Sequence, residues 1–122
     1  MTTFAPSTLA DIMTRGAQSI SPQTSIKTAA SLMASEHLSS LVVAEDGMTL
    51  GIVTESNILR AIHERRPTDN EVSSIMSQPV VSAPPDMELL TARDLLDKNK
   101  IHHLVVADQQ GTTLGIVSET DF

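Results

Sequence analysis

Two kinds of apolar pattern alternate along the chain. Ile26, Ala29, Ala30 and Met33 recur at i, i+3, i+4 and i+7, the stripe of an amphipathic helix. Leu89, Ala92, Leu95 and Leu96 form a second such stripe. After each stripe the pattern shortens to runs of strand type, Leu41–Ala44 and Leu104–Ala107, followed by Gly51-Ile52-Val53 and Gly115-Ile116-Val117. A turn with a glycine separates the members of each pair, Glu45-Asp46-Gly47 in one and Asp108 to Gly111 in the other, so each pair reads as a hairpin. A further helix is predicted over Glu55–Arg65, with Ile58, Leu59 and Ile62 on one face and Pro67 ending it. Pro22 and Pro85 punctuate an extended segment before each first helix, and Thr24 and Asp86 suit the N-cap positions. The predicted buried strand positions are Leu41–Val43, Ile52, Val53, Leu104–Val106, Ile116 and Val117.

These patterns are two copies of one pattern. Ile12-Met13 returns as Ile75-Met76, and the same spacing relates Pro22 to Pro85, Thr28-Ala29 to Thr91-Ala92 and Leu41-Val42-Val43-Ala44 to Leu104-Val105-Val106-Ala107. One residue is inserted in the second turn, after which Thr49-Leu50-Gly51-Ile52-Val53 matches Thr113-Leu114-Gly115-Ile116-Val117. The chain therefore divides into copy one at 8–66, a polar linker at 67–70 and copy two at 71–122. Each copy reads strand, helix, strand, strand, helix, an α/β (α+β) unit. A unit of this size buries little apolar surface alone, so the two are expected to pack sheet to sheet with pseudo-twofold symmetry. Copy two stops at Phe122, where its last helix should start, and so reads as truncated.

Composition narrows the chemistry. The 122 residues carry 8 Lys and Arg against 15 Asp and Glu, net −7. That balance opposes nucleic acid and anionic membrane surfaces, both of which need clustered positive charge. With no Trp or Tyr and two Phe there is no stacking platform for bases. Without cysteine there is no disulfide, thiolate metal site or cysteine nucleophile, and a reduced cytoplasmic setting fits. No apolar run is long enough to insert in a membrane. His37, His63, His102 and His103 lack metal-ligand spacing, and neither a nucleophile elbow nor a glycine-rich phosphate loop occurs, so no catalytic or metal residue is assigned.

Asp11-Ile12-Met13-Thr14, Ser21-Pro22, a helix, Leu41-Val42-Val43 and Gly51-Ile52-Val53-Thr54, repeated in register, resemble a cystathionine β-synthase (CBS) domain, here as the tandem pair called a Bateman module. The resemblance covers essentially the whole chain. It implies two βαββα motifs and a regulatory, non-enzymatic module without cofactor. Its ligand would be an adenosine derivative such as AMP, ADP, ATP or S-adenosylmethionine, with a fused effector domain and a homodimer as partners. It also implies a ribose site on the run Gly-h-h-(Thr/Ser)-x-x-Asp, whose carboxylate can accept from two hydroxyls. Copy two matches in full, Gly115 to Asp121, whereas copy one has Asn57 in place of the Asp. The stronger site would join Ile116, Ser118 and Asp121 to Gly16, Ala17 and Gln18; the weaker would join Ile52, Thr54 and Asn57 to Pro79, Val80 and Val81. His102 and His103 are candidate phosphate contacts, where copy one has Ser39-Ser40. Hydroxyl and Asx residues after a strand also suit helix N-caps, so that use stays open for Thr54, Asn57, Ser118 and Asp121. A ligand-free dimerisation module is the alternative reading of the chain.

Overall fold

A computed structural model describes residues 5–15 and 18–122. The elements, in chain order, are α1 (Leu9–Ile12), β1 (Thr14–Arg15), β2 (Ser19–Ile20), α2 (Ile26–Ser35), β3 (Ser40–Glu45), β4 (Met48–Thr54) and α3 (Glu55–His63). A 3-10 turn at Val72–Ser74 leads to β5 (Ser82–Ala83), α4 (Leu89–Asn99), β6 (His103–Ala107), β7 (Thr113–Ser118) and a 3-10 turn at Glu119–Asp121. The fold is mixed α/β, and both predicted hairpins form: β3 with β4 and β6 with β7, each antiparallel. A parallel strand extends each hairpin, β2 on β3 and β5 on β6.

The compact units do not coincide with the sequence copies. One body comprises residues 18–80, and the other joins the N-terminal segment to residues 81–122. The short opening segment of each copy is thus built into the other copy's body. In the second body, β1 pairs antiparallel with β7, and the sheet order is β1-β7-β6-β5. The N–H of Leu9 donates to Met87 O and that of Ala10 to Pro85 O. In the first body, the N–H of Val72 donates to Thr24 O, Ser73 to Pro22 O, and Ser77 bridges Ile52 in both directions. Leu9 and Val72, equivalent in the repeat, are each fully buried. Burying such a side chain is worth about 1.5–3 kcal/mol, which anchors each strap. The stretch 67–70, read as a linker, is tied into the first body, with Thr68 O and Asn70 O accepting from Lys27 N and Ile26 N.

Each body has its own core. Ile26, Ala29 and Met33 of α2 meet Leu41, Val43 and Val53 of the sheet, with Ile58 and Ala61 of α3 and Val72. In the other body Ala92 and Leu96 of α4 meet Leu104, Val106 and Val117, with Leu9 and Met13. The predicted buried strand positions are buried, except that Ile116 is only half-buried. The helix starts differ from expectation. Ser25, not Thr24, caps α2, accepting from Thr28 N at 3.0 Å. Glu88, not Asp86, precedes α4, without a side-chain cap bond.

The ends of α2, α3 and α4 share a device the sequence conceals. His37, Arg65 and Lys100 stand at φ of 55°, 59° and 54°, the left-handed region usually left to glycine. The next residue's N–H reaches back five residues: Leu38 to Met33 O, Arg66 to Ala61 O and Ile101 to Leu96 O. These bonds satisfy carbonyls that a helix end otherwise leaves open. The second predicted helix consequently ends at His63, before Pro67 acts.

Gly51 and Gly115 lie under the straps. A Cβ on Gly51 would stand 2.6 Å from Met76 Sδ and 2.9 Å from Ser77 O; on Gly115 it would stand 2.6 Å from Thr14 O and 3.0 Å from Met13 Sδ. The opposing atoms include backbone, which cannot swing aside. Gly51→Ala and Gly115→Ala are each expected to cost about 1–3 kcal/mol, the usual scale of overpacking. Urea denaturation checks this, and unchanged midpoints would show that the straps do not hold the strands so closely.

Candidate ligand site

Each copy's ribose motif forms where a hairpin's last strand turns into a helical segment. In the second body β7 ends at Ser118 and the chain enters the Glu119–Asp121 turn. Asp121 Oδ2 accepts from Ser118 N at 2.8 Å and from Ser118 Oγ at 3.3 Å. Ser118 Oγ also lies 2.7 Å from Thr120 Oγ1. Asp121 is exposed, and its Oδ1 has no hydrogen bond among the described residues. One carboxylate oxygen thus holds the turn while the other makes no hydrogen bond among the described residues.

The two histidines come to the same sheet end. His103 stands opposite Ser118 in the β6–β7 register. His102 O accepts from Glu119 N at 2.9 Å, and His102 Nδ1 lies 3.0 Å from Glu119 Oε1. His102 is largely exposed and His103 half-buried. Burial holds His103 below the ordinary histidine range; His102 adds to this, while Asp121 and Glu119 pull the other way. That shift disfavours the charged form that would help His103 hold a phosphate. Ile116 pairs with Thr14 of β1, so Ile116, Ser118 and Asp121 share one body with the N-terminal strap. Gly16 and Ala17 lie outside the described residues, and Gln18 is the exposed first residue of the other body.

Copy one uses the same scaffold differently. Thr54 caps α3 in a reciprocal box: Asn57 N donates to Thr54 Oγ1 at 3.2 Å, and Thr54 N donates to Asn57 Oδ1 at 2.8 Å. Asn57 Nδ2 donates to Ser77 Oγ at 3.3 Å. Asn57 is only 7% exposed, the one buried polar side chain among the described residues. Both ends of its amide are therefore engaged inside the protein, and the N-cap use left open by the sequence is realised here as it is in the matching box of Ser118 and Asp121. Ile52 is buried and bridged to Ser77; Pro79 and Val80 follow in the same body, whereas Val81 begins the other. The amide both accepts from Thr54 and donates to Ser77, and an ionised carboxylate could not make the second bond.

Two participants escaped the sequence reading. Ser77 completes the Asn57 network, and Arg15 is an exposed cation paired with Gly115 on the motif strand. Both lie on the opening segments, at Thr14-Arg15 and Ser77, just before the stretches 16–18 and 79–81 that the resemblance joins to the other copy's run.

The model of one family, described as CBS domain, matches residues 9–64 and 72–122. The CBS domain-containing protein YhcV of Bacillus subtilis is 34% identical over 116 residues, covering 94% of this chain and 82% of YhcV. An inosine-5'-monophosphate dehydrogenase of Thermoplasma acidophilum is 32% identical over 110 residues, covering 90% of this chain, which spans only 22% of that enzyme. Among solved structures, the CBS domain pair of protein MJ0100, in complex with 5'-methylthioadenosine and S-adenosyl-L-methionine, superposes with a TM-score of 0.84 at 23% identity, covering 93% of this chain and 90% of that one.

The site geometry generates two expectations for stability. Asn57→Ala removes the side-chain half of the capping box, with its bonds to Thr54 N and Ser77, and should cost about 1–2 kcal/mol by chemical denaturation, more than Asp121→Ala at its exposed position. Because the folded state disfavours the charged form of His103, the unfolded chain takes up that proton first as pH falls below about 6.5. Stability should therefore decline from there down through the lower folded value, and His103→Gln should flatten that decline in a pH series of unfolding midpoints.

Proposed function

The chain belongs to the CBS domain family, as a tandem pair, and on that premise we propose that it is a regulatory module that binds an adenosine nucleotide or derivative and controls an attached or partner domain. One observation carries the reading: copy two retains the full Gly115-Ile116-Val117-Ser118-Glu119-Thr120-Asp121 run, with one oxygen of the exposed Asp121 committed to the turn and the other unbonded among the described residues. A ribose needs such an acceptor, and a charged one is stronger than an amide. The MJ0100 pair, similar in fold, holds two adenosine derivatives, which supports the ligand class. Occurrence of a similar segment within a dehydrogenase supports attachment to an effector. In this reading Gly16, Ala17, Gln18 and Ile116 hold the base, Ser118 and Asp121 hold the ribose, and His102 assists a phosphate. The chemistry is recognition rather than catalysis.

The weaker site of Ile52, Thr54, Asn57, Pro79, Val80 and Val81 contributes little. Engaging a ribose there would break the internal bonds of Asn57. That saturation favours the spacer reading for copy one alone.

A homodimer through the helices belongs to the same proposal. The Ile26–Met33 stripe is consumed by the first body's own core, but Leu59 and Ile62 on α3 remain 65% and 57% exposed. They lie one turn apart and form an apolar patch suited to a second copy.

Titration calorimetry with AMP, ATP and S-adenosylmethionine tests the ligand. Asp121→Ala should weaken binding roughly 10- to 150-fold, the loss of charge-assisted hydrogen bonds, whereas Asn57→Ala should stay within about threefold. Equal losses would refute the asymmetry; no binding to any of the three would favour a spacer. In sedimentation, Leu59→Glu with Ile62→Glu should convert a dimer to a 13.1 kDa monomer, and a monomeric wild type would end the dimer reading.

A further inference from the structure

Three of the eight cationic Lys and Arg side chains, Arg60, Arg65 and Arg66, fall within seven residues of a chain whose net charge is −7. The helix-end turn explains their placement. Arg65 takes the left-handed conformation, and Arg66 N is drawn back to Ala61 O at 2.9 Å. The side chain of Arg66 is thereby returned to the face of α3 that carries Arg60. There, within the first body, a cleft of about 310 Å³ is lined by Arg60, Glu64 and Arg66 of α3 and its end, by Ile75 and Met76 beyond the Val72–Ser74 turn, and by Asn57 of the copy-one run, which it therefore borders.

Basic side chains near a helix C-terminus are favourable anyway, because they oppose the negative end of the dipole. That accounts for a cation beside the last carbonyls. It does not account for two guanidinium groups lining one cleft with an apolar part. Arg66 Nε donates to Glu64 Oε1 at 3.0 Å, which fixes the guanidinium and leaves its other N–H groups without a bond among the described residues. Arg60 makes no side-chain hydrogen bond or ion pair among the described residues. A guanidinium has five donors in a planar fork, so most of the donor capacity here is unspent. The formal charge of Arg60, Arg66 and Glu64 together is positive, and the fork matches the oxygens of a phosphate.

We infer that this cleft is a second binding site, which takes the phosphate of a small phosphomonoester on Arg60 and Arg66 and its organic part against Ile75 and Met76. The volume lies at the lower end of small-molecule sites, which suits a compact phosphorylated metabolite rather than a dinucleotide. The site is distinct from the Ser118–Asp121 motif, which belongs to the other body, and it stands whether or not that motif binds adenosine. Glu64 sets its selectivity. It holds Arg66 in place, yet it repels an anion, so a variant without its charge should bind more tightly.

The test is nitrogen-15 NMR of the arginine Nε–H and backbone signals during titration with inorganic phosphate and with glycerol 3-phosphate, at constant ionic strength. Saturable shifts are expected at Arg60, Ala61 and Arg66, with glycerol 3-phosphate the tighter ligand. Arg60→Gln should weaken both roughly 10-fold or more, the loss of charged hydrogen bonds, and Glu64→Gln should strengthen both. Arg60 is exposed, so its variant should keep the wild-type spectrum elsewhere. Adenosine, which has no phosphate, should leave these signals in place, and Asp121→Ala should leave the phosphate titration unchanged while it weakens nucleotide binding. Absence of saturable shifts with either phosphate, or shifts that persist in the Arg60→Gln/Arg66→Gln double variant, would overturn the inference.

Discussion

The architecture depends on a close approach of two backbones. In each body a strap from the other sequence copy runs across the last strand of the hairpin, near enough that the strand residue beneath it has no room for a side chain. Gly51 and Gly115 are those residues, with Ser77 O and Thr14 O above them. The approach lets Ser77 exchange backbone bonds with Ile52 and lets β1 pair with β7. It also brings the sulfur side chains of Met76 and Met13 onto the glycines, where a flexible thioether fits an irregular gap. Leu9 and Val72 then lock the straps by burial.

That approach also shapes the two ribose motifs, which begin at these glycines and reach their hydroxyl residue three positions later. Where the strap residue is Ser77, its hydroxyl meets the amide of Asn57 and the motif closes on itself. Where it is Thr14, Asp121 remains exposed with an oxygen to spare. One repeated frame thus yields a buried structural network in one copy and an open acceptor in the other. The difference comes from a single amide-for-carboxylate exchange together with the side chain delivered by the strap.

Much of this was legible in the sequence. The strands at Leu41–Val43 and Leu104–Val106, the stripes at Ile26–Met33 and Leu89–Leu96, and the glycines opening Gly51-Ile52-Val53 and Gly115-Ile116-Val117 follow from periodicity and repetition alone. The exchange of straps was not legible in local pattern, which specifies an element and not its partner; it entered only through the family resemblance, whose sites join each run to the other copy's opening segment. The helix ends were missed for a related reason. Glycine is the usual mark of a left-handed cap, and here His37, Arg65 and Lys100 occupy that conformation, held by the bonds they allow rather than by their own preference. The N-caps slipped by one or two residues because the backbone groups near Pro22, Thr24 and Pro85 are engaged by the incoming strap. The asymmetry at Asn57 and Asp121 was read from residue type, but burial of Asn57 required Ser77, which lies 20 positions away.

Reciprocal straps have a consequence for ancestry. A single copy would leave its glycine strand uncovered and its own strap without a seat, and two separate copies could satisfy both needs only by exchanging straps, as domain-swapped dimers do. Tandem duplication writes that exchange into one chain and makes it intramolecular, so it no longer depends on protein concentration. It also frees the two copies to diverge, since each strap now serves a body other than its own. A mutation in one copy's opening segment is then a change to the other copy's sheet, and selection acting on the two halves of the gene is coupled through the straps rather than along the sequence.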